Sequence, residues 1–299
     1  MPGSMRTLWA VAVLGAAAGA CSAVPRAEAP PGARGPDADS GAVLDVMTLN
    51  IWHDREDWPA RMEALLDGIR EADPDVICLQ EVLQNETLPN QAETLAGALG
   101  YAVHFASADS VGSAKRYGNA ILSRTPVLAR DHRLLDPLDD YRVVAHARIA
   151  PAGDTMDIYC THLHHTQEAA GVETRRAQVL DLLDFVDATR GDGPILLAGD
   201  FNAAADADEL APVRDRFGDG YGTVHGDSAG DVTTLNTALG HRLARIDHVF
   251  FRDGTILDIV PVAAEVVLDT PTAAGIWPSD HFGVQVRFRV RDARAGMRR

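Results

Sequence analysis

The stretch Ile195-Leu196-Leu197-Ala198-Gly199-Asp200-Phe201-Asn202 carries the reading of this chain. Its first four residues are a short continuous apolar run, the pattern of a strand buried on both faces. The run then meets Asp200 and Asn202, residues that do not belong in a core. Alone, Asp-x-Asn after a strand reads as a turn. The same event recurs along the chain. A strand over Asp45–Asn50 ends in Asn50, and Val76-Ile77-Cys78-Leu79 leads into Gln80-Glu81. Tyr159-Cys160-Thr161 leads into His162, and Ser279-Asp280-His281 opens onto a strand over Val284–Val290. Carboxylates, amides and histidines gathered at one sheet edge point to a metal-dependent hydrolytic site.

Between these strands lie helical patterns. Pro59 to Arg70 places Met62, Leu65, Leu66 and Ile69 at helical spacing, with Pro59 suited to the first turn and Pro74 barring continuation. Gln91 to Leu99 reads as a second helix stopped by Gly100. Val172 to Val186 reads as a third, with Arg176, Val179, Leu180, Leu183 and Val186 in partial register. Further strands are expected at Ala120–Leu122, Val143–Ile149, Met156–Thr161, Asp247–Phe251 and Val266–Leu268. Some strands follow one another without a helix, so a strict βαβ alternation is excluded. The expected fold is α/β, a two-sheet sandwich.

The chain has 299 residues, 46% hydrophobic and 23% charged, which excludes disorder over most of its length. The net charge of −16 excludes a purely electrostatic nucleic-acid binder. It leaves room for an enzyme acting on phosphates if metal ions or a local cation offset the repulsion. Three cysteines cannot make a disulfide scaffold. Residues 1–20 read as a signal peptide: Arg6 precedes an uncharged stretch from Leu8 to Ala20, too short to span a bilayer. The segment ends in Ala18-Gly19-Ala20-Cys21, which is similar to a bacterial lipobox and also fits an ordinary A-x-A cleavage site. Export is expected, as a cell-envelope lipoprotein anchored through Cys21 or as a secreted protein. Residues 21–42 read as a flexible linker, 43–290 as the folded domain and 291–299 as a polar tail.

The candidate site residues divide by chemistry. Glu81 and Asp280 are hard oxygen donors that suit Mg²⁺ or Mn²⁺. Asp200 is a third such carboxylate. A histidine passes protons near neutral pH, which nominates His162 and His281. Asn50 and Asn202 add neutral hydrogen bonds that orient ligands or water.

The ordered set resembles the endonuclease/exonuclease/phosphatase superfamily, the deoxyribonuclease I-like fold. The motifs are T-L-N-I-W (Thr48–Trp52), I-C-L-Q-E-V (Ile77–Val82), G-N-A-I-L-S-R (Gly118–Arg124) and T-H-L (Thr161–Leu163). They continue through G-D-F-N (Gly199–Asn202), R-I-D-H-V (Arg245–Val249) and S-D-H-F (Ser279–Phe282). The resemblance implies a four-layer α/β sandwich and a Mg²⁺-dependent phosphoesterase. It implies Glu81, Asn50 and Asp280 at the metal, with Asp200 and Asn202 placing the attacking water and scissile phosphate. It implies His281 as acid or base oriented by Asp247, and His162 on the phosphate side. Arg142 resembles a phosphate-contacting arginine. A monomer acting on nucleic acid or a phospholipid headgroup is expected.

Departures narrow this. Leu83 stands where the deoxyribonucleases place a DNA-contacting arginine, and His162 where abasic-site endonucleases carry Asn. Tyr117 lies about one residue from a family tyrosine. His164 and His165 extend the run T-H-L-H-H-T, with a solvent-facing role expected. Cys78 and Cys160 read as buried free thiols. Phosphodiester hydrolysis of the nuclease kind is the first reading. A sphingomyelinase or phospholipase C-like activity, or a phosphomonoesterase, would use the same residues. A surface lipoprotein that only binds is the reading of a different class.

Overall fold

The structure is a computed structural model that describes residues 42–151 and 153–293. The expected signal peptide, Cys21, most of the linker and residues 294–299 lie outside the described residues. The described chain opens with β1 (Ala42–Asn50), α1 (Trp58–Ala72), β2 (Val76–Gln84), α2 (Gln91–Leu99), β3 (Ala102–Ser107) and β4 (Arg116–Ser123). It continues through β5 (Ala129–Leu134), β6 (Val143–Ile149), β7 (Met156–His162), α3 (Ala169–Thr189) and β8 (Ile195–Asp200). The last third holds α4 (Ala211–Arg214), β9 (Gly218–Asp219), α5 (Gly220–His225), β10 (Asp247–Arg252), β11 (Leu257–Val267) and β12 (Gly283–Asp292).

The strands form two six-stranded sheets, ordered β11-β12-β1-β2-β4-β3 and β5-β6-β7-β8-β10-β9. Their inner faces meet in one apolar layer that includes Val46, Cys78 and Ile121 from the first sheet and Ala145, Ile158 and Ala198 from the second. Helices α1 and α2 cover the first sheet through Leu65, Ile69 and Leu95. Helix α3 covers the second through Val179, Leu182 and Val186. This is the expected four-layer sandwich. Each wholly buried Leu65 or Ile69 contributes about 2 kcal/mol by leaving water. The Asp57 side chain accepts from Ala60 N to cap α1, and Asp73, in a left-handed conformation, ends it before Pro74.

Each sheet contains one parallel pair. β1 runs beside β2 with Asn50 opposite Gln80, and β7 runs beside β8 with His162 opposite Asp200. Parallel neighbours end together, so each pair delivers its polar terminal residues to one edge. Gly199 makes the second pairing possible. A Cβ there would lie 2.0 Å from the carbonyl oxygen of Thr161, so only glycine lets β7 and β8 approach at this point.

Several elements differ from expectation. β3 and β5 were not expected; both are edge strands, and β5 is mostly exposed, so neither carries a buried apolar run. β11 starts at Leu257, well before the expected Val266, and stops at Val267, with Leu268 left-handed. β12 reaches Asp292, so two residues assigned to the tail are paired with β11. In α3, Leu180 is 53% exposed and Arg176 pairs outward with Glu173. The buried stripe instead includes Arg175 and Gln178. Cys78 and Cys160 are buried and free. Their thiols meet across the inter-sheet layer, and this contact, then burial, pushes the Cys78 thiol up.

Candidate active site

A cleft of about 680 Å³ opens where the two sheets present their strand ends. Asn50, Glu81, His162, Asp200, Asn202, Asp280, His281 and Arg142 all line it. Asp247 lies directly behind, with no exposure. The structure therefore brings together the nine candidate catalytic, metal and phosphate residues named from the sequence.

Asp200 is the centre of the arrangement. Its Oδ2 accepts from Asn50 Nδ2 at 3.2 Å, which ties the two sheets together. The same oxygen lies 3.3 Å from His162 Nε2 and 3.8 Å from His281 Nε2. Its Oδ1 accepts from the backbone N–H of Asn202 at 2.9 Å. That tight turn holds Asn202 at φ 53°, a left-handed conformation that asparagine tolerates better than most residues. The Asn202 amide donates to Leu163 O at 3.1 Å, fixing the side chain at the cleft floor.

His281 donates from Nδ1 to Asp247 Oδ2 at 3.0 Å, so its Nε2 points at Asp200. Burial alone would lower its pKa, but the charges of Asp247 and Asp200 win and raise it to about 10. Burial and then the Asp247 charge raise the Asp200 carboxyl to about 7. His162 is driven the other way, well below its ordinary value, by burial and the nearby Arg142 and His281. One histidine of the cleft is thus an imidazolium and the other a neutral imidazole.

Glu81 sits in a β-bulge of β2, where the register shifts between Leu79 and Val82. Its φ of 59° is strained for a non-glycine residue, a conformation that turns its carboxylate into the cleft. Asp280 faces the same space. Burial, with the Glu81 charge contributing, raises the Asp280 carboxyl above its usual range. Ser279 Oγ donates to Asn50 O at 2.6 Å and accepts from His281 N at 3.2 Å, which locks the 279–281 turn to β1. Asn50 has its amide nitrogen on Asp200 and its oxygen on Trp52 N.

Two groupings have the donors for a cation. Ligand atoms of Asp200, Asp247 and His281 lie within 4.8 Å of one another, all buried. The His281 imidazolium already supplies positive charge there. Glu81 and Asp280 offer hard carboxylate oxygens that repel each other; His53 Nε2 lies 4.0 Å from Glu81, His241 Nε2 lies 3.4 Å from Asp280, and the buried Arg61 guanidinium feels both carboxylates. The Glu81–Asp280 side is therefore the better fit for Mg²⁺ or Mn²⁺. Sequence reasoning missed His53 and His241, which lie in no recognisable pattern. Tyr117, about one residue from the family position, lines the cleft with Arg142, and burial raises its hydroxyl pKa. Trp277 packs on Phe282 away from the cleft, and Lys115 lies over the Tyr141 ring.

Comparison with known proteins bears on the fold and the family. The chain is 27% identical to Nocturnin of Drosophila melanogaster over 277 residues, covering 78% of this chain and 42% of that protein's length. It is 30% identical to YbhP of Escherichia coli over 182 residues, covering 56% of this chain and 70% of that protein. Among solved structures, an endonuclease/exonuclease/phosphatase from Beutenbergia cavernae superposes with a TM-score of 0.64 at 24% identity, over 83% of this chain and 72% of the other. Zebrafish TDP2 in complex with a single-strand DNA product superposes at 0.69 and 18% identity, over 83% and 99%. At these identities the structural matches show the fold. The family profile itself matches residues 47–281, the span that contains every residue of the cleft. The chain belongs to the endonuclease/exonuclease/phosphatase family, a family of divalent-metal-dependent phosphoric ester hydrolases.

Proposed function

We propose that this protein hydrolyses phosphodiester bonds by attack of water, with a divalent cation as cofactor. The observation that supports this best is the convergence on Asp200 of Asn50, His162 and the His281–Asp247 pair. An Asp raised to about 7 is matched to its task as a general base near neutral pH. Asp200 would take the proton of the attacking water, with Asn202 placing that water. His281, oriented by Asp247, would hold positive charge beside the developing anion. His162, kept neutral, would donate a hydrogen bond to a phosphoryl oxygen. Arg142 would bind a second such oxygen. Glu81 and Asp280, with Asn50 beside them, would hold Mg²⁺ or Mn²⁺, which when bound neutralises phosphate charge against the acidic cleft.

Among phosphodiesters we assign nucleic acid first. The cleft continues in two directions. It shares Glu81 and Tyr117 with a recess toward Lys115 and Tyr141, and Gln167, Arg242 and Ile246 with a second cleft of about 830 Å³. An extended strand uses such a path, and a single headgroup does not need it. The export signal read from residues 1–20 supports action on phosphodiesters outside the cytoplasm.

The test is hydrolysis of bis(p-nitrophenyl) phosphate by the purified protein with Mg²⁺, Mn²⁺ or EDTA, with Asp200→Ala beside it. Metal-dependent turnover that the variant loses is expected. Turnover retained by Asp200→Ala would sink the assignment. Parallel assays on single-stranded DNA, RNA and sphingomyelin vesicles then separate the substrate classes.

A further inference from the structure

The run Thr161-His162-Leu163-His164-His165-Thr166 sends only its first histidine to Asp200. His164 faces the other way, into a network behind the cleft wall. Its Nδ1 donates to Asp140 Oδ1 at 2.6 Å, and its Nε2 contacts Thr166 Oγ1 at 2.8 Å. Gln178 of α3, wholly buried, donates to Asp140 Oδ2 at 2.6 Å and accepts from the backbone N–H of His164 at 2.8 Å. Arg175, one turn earlier on α3, holds the carbonyls of His164 and Thr166 and is paired with Glu209 at 2.8 Å. Both carboxylate oxygens of Asp140 are therefore occupied by donors that are fixed in turn.

Arg142 lies two residues on. Tyr141 between them is left-handed, with φ 63°, and this turn sets the direction of the neighbouring side chains. The Arg142 side chain is 11% exposed and lines the cleft. Its guanidinium shares the cleft wall with Tyr117 and acts on the Tyr117 hydroxyl. Its Nε is buried without a hydrogen-bond partner and stands 3.7 Å from Asp140 Oδ2, beyond hydrogen-bond length. A free carboxylate at this position would close on the guanidinium bidentately and neutralise it. Held by His164 and Gln178, Asp140 stays at a distance that orients the guanidinium without capping its N–H groups.

We infer that Asp140, His164 and Gln178 form a clamp of positioning residues that presents Arg142 to a phosphate oxygen of the substrate. The inference rests on the phosphoesterase reading above and extends it to residues outside the cleft. It gives His164, expected to face solvent, a role through Arg142.

The sign of one substitution separates positioning from simple electrostatics. Deleting a negative charge beside an anion site strengthens anion binding if charge alone matters. If the clamp positions Arg142, Asp140→Asn weakens binding, because the amide oxygen takes only one of the two donors and its N–H end meets His164 only after the ring proton moves from Nδ1 to Nε2, which loses the charge-assisted bond. The experiment is calorimetric titration of inorganic phosphate into the full-length protein with Mg²⁺ present. Wild type, Asp140→Asn, His164→Ala, Arg142→Ala and the Asp140→Asn/Arg142→Ala double variant are compared. Asp140→Asn and His164→Ala each weaken phosphate binding about tenfold, the scale of one charge-assisted contact. Asp140→Asn has no further effect once Arg142 is removed. His164→Ala keeps the Asp140 charge, so its loss of affinity cannot come from charge. Unchanged or tighter binding in Asp140→Asn, or full additivity with Arg142→Ala, overturns the inference while turnover of bis(p-nitrophenyl) phosphate leaves the broader reading standing. Wild-type protein that neither binds phosphate nor turns over the diester overturns both.

Discussion

His248 offers a test of how the interior controls protonation. It lies in β10 with no exposure, one residue past Asp247. Arg245 Nη1 donates to its Nδ1 at 2.8 Å, and its Nε2–H donates to Ala203 O at 2.9 Å. Arg245 is itself fixed by Asp219 at 2.6 Å. A second proton on the ring would point from Nδ1 at a guanidinium. Burial, then the Arg245 charge, lower the His248 pKa to about 4. In the unfolded chain the ring titrates near its ordinary value of about 6.5. The folded value is depressed, so the unfolded state binds the proton first. Stability is fully present above about pH 6.5 and is lost as pH falls toward about 4. Each pKa unit is about 1.4 kcal/mol, so the full loss is about 3 kcal/mol and the part reached by about pH 5 is about 2 kcal/mol. The variant is His248→Gln, whose amide can accept from Arg245 and donate to Ala203 but does not titrate. Urea denaturation of both proteins at about pH 7.5 and about pH 5 gives the comparison. The wild type loses about 2 kcal/mol more than the variant across that interval. Equal losses would refute the claim that His248 is held neutral by its setting.

Further outcomes are expected. Asp200→Asn lowers turnover about a thousandfold, as for loss of a general base. In EDTA at neutral pH the same variant melts higher than wild type, because a carboxyl raised to about 7 costs stability as pH rises from about 4 toward 7. The two melting curves converge in acid, and a variant less stable than wild type at pH 7 would contradict the raised value. EDTA abolishes turnover and Mg²⁺ or Mn²⁺ restores it. Glu81→Gln raises the Mg²⁺ needed for half-activation by about a hundredfold, read from metal titrations of rate; an unchanged midpoint removes Glu81 from the metal. Gly199→Ala drives a Cβ into Thr161 O and costs about 3 kcal/mol in urea denaturation, together with turnover. A fully stable Gly199→Ala protein would show that β7 and β8 need no such close approach.

Much of this fold is legible in the sequence where burial is apolar. β6 and α2 occupy the expected residues because β6 is a nearly continuous buried run and α2 places Leu95 and Leu99 at helical spacing and is stopped by left-handed Gly100. β3 and β5 were invisible for the opposite reason: edge strands need no apolar run. The register of α3 misled because two of its buried residues are polar. Arg175 is neutralised by Glu209 and Gln178 is satisfied by Asp140 and His164, so hydropathy assigns both to solvent. Most cleft residues were legible because a polar residue stands at or beside the end of an apolar run, whereas Glu81 lies in a bulge within β2 that the sequence does not mark. His53 and His241 come from loops, and only the folded chain brings them to Glu81 and Asp280.

What sequence could not supply is the state of each group. His162, His248 and His281 are all buried histidines at or next to strand ends, yet two are driven neutral and one is held charged. Burial pushes all three toward neutrality. The difference lies in what faces each ring from another element. Arg142 and His281 face His162 along with the single carboxylate of Asp200, Arg245 faces His248, and Asp247 with Asp200 faces His281. The charged histidine is the one set between two carboxylates, and its presence lets those carboxylates coexist in a closed space. A single exchange, such as Asp247→Asn, would remove the larger support for the His281 charge. It would also remove the negative neighbour that raises Asp200, and so uncouple the base from its partner while leaving the residues that line the cleft unchanged. The acid–base chemistry of this cleft is thus a property of the contact between β8, β10 and the 279–281 turn, and no single motif encodes it.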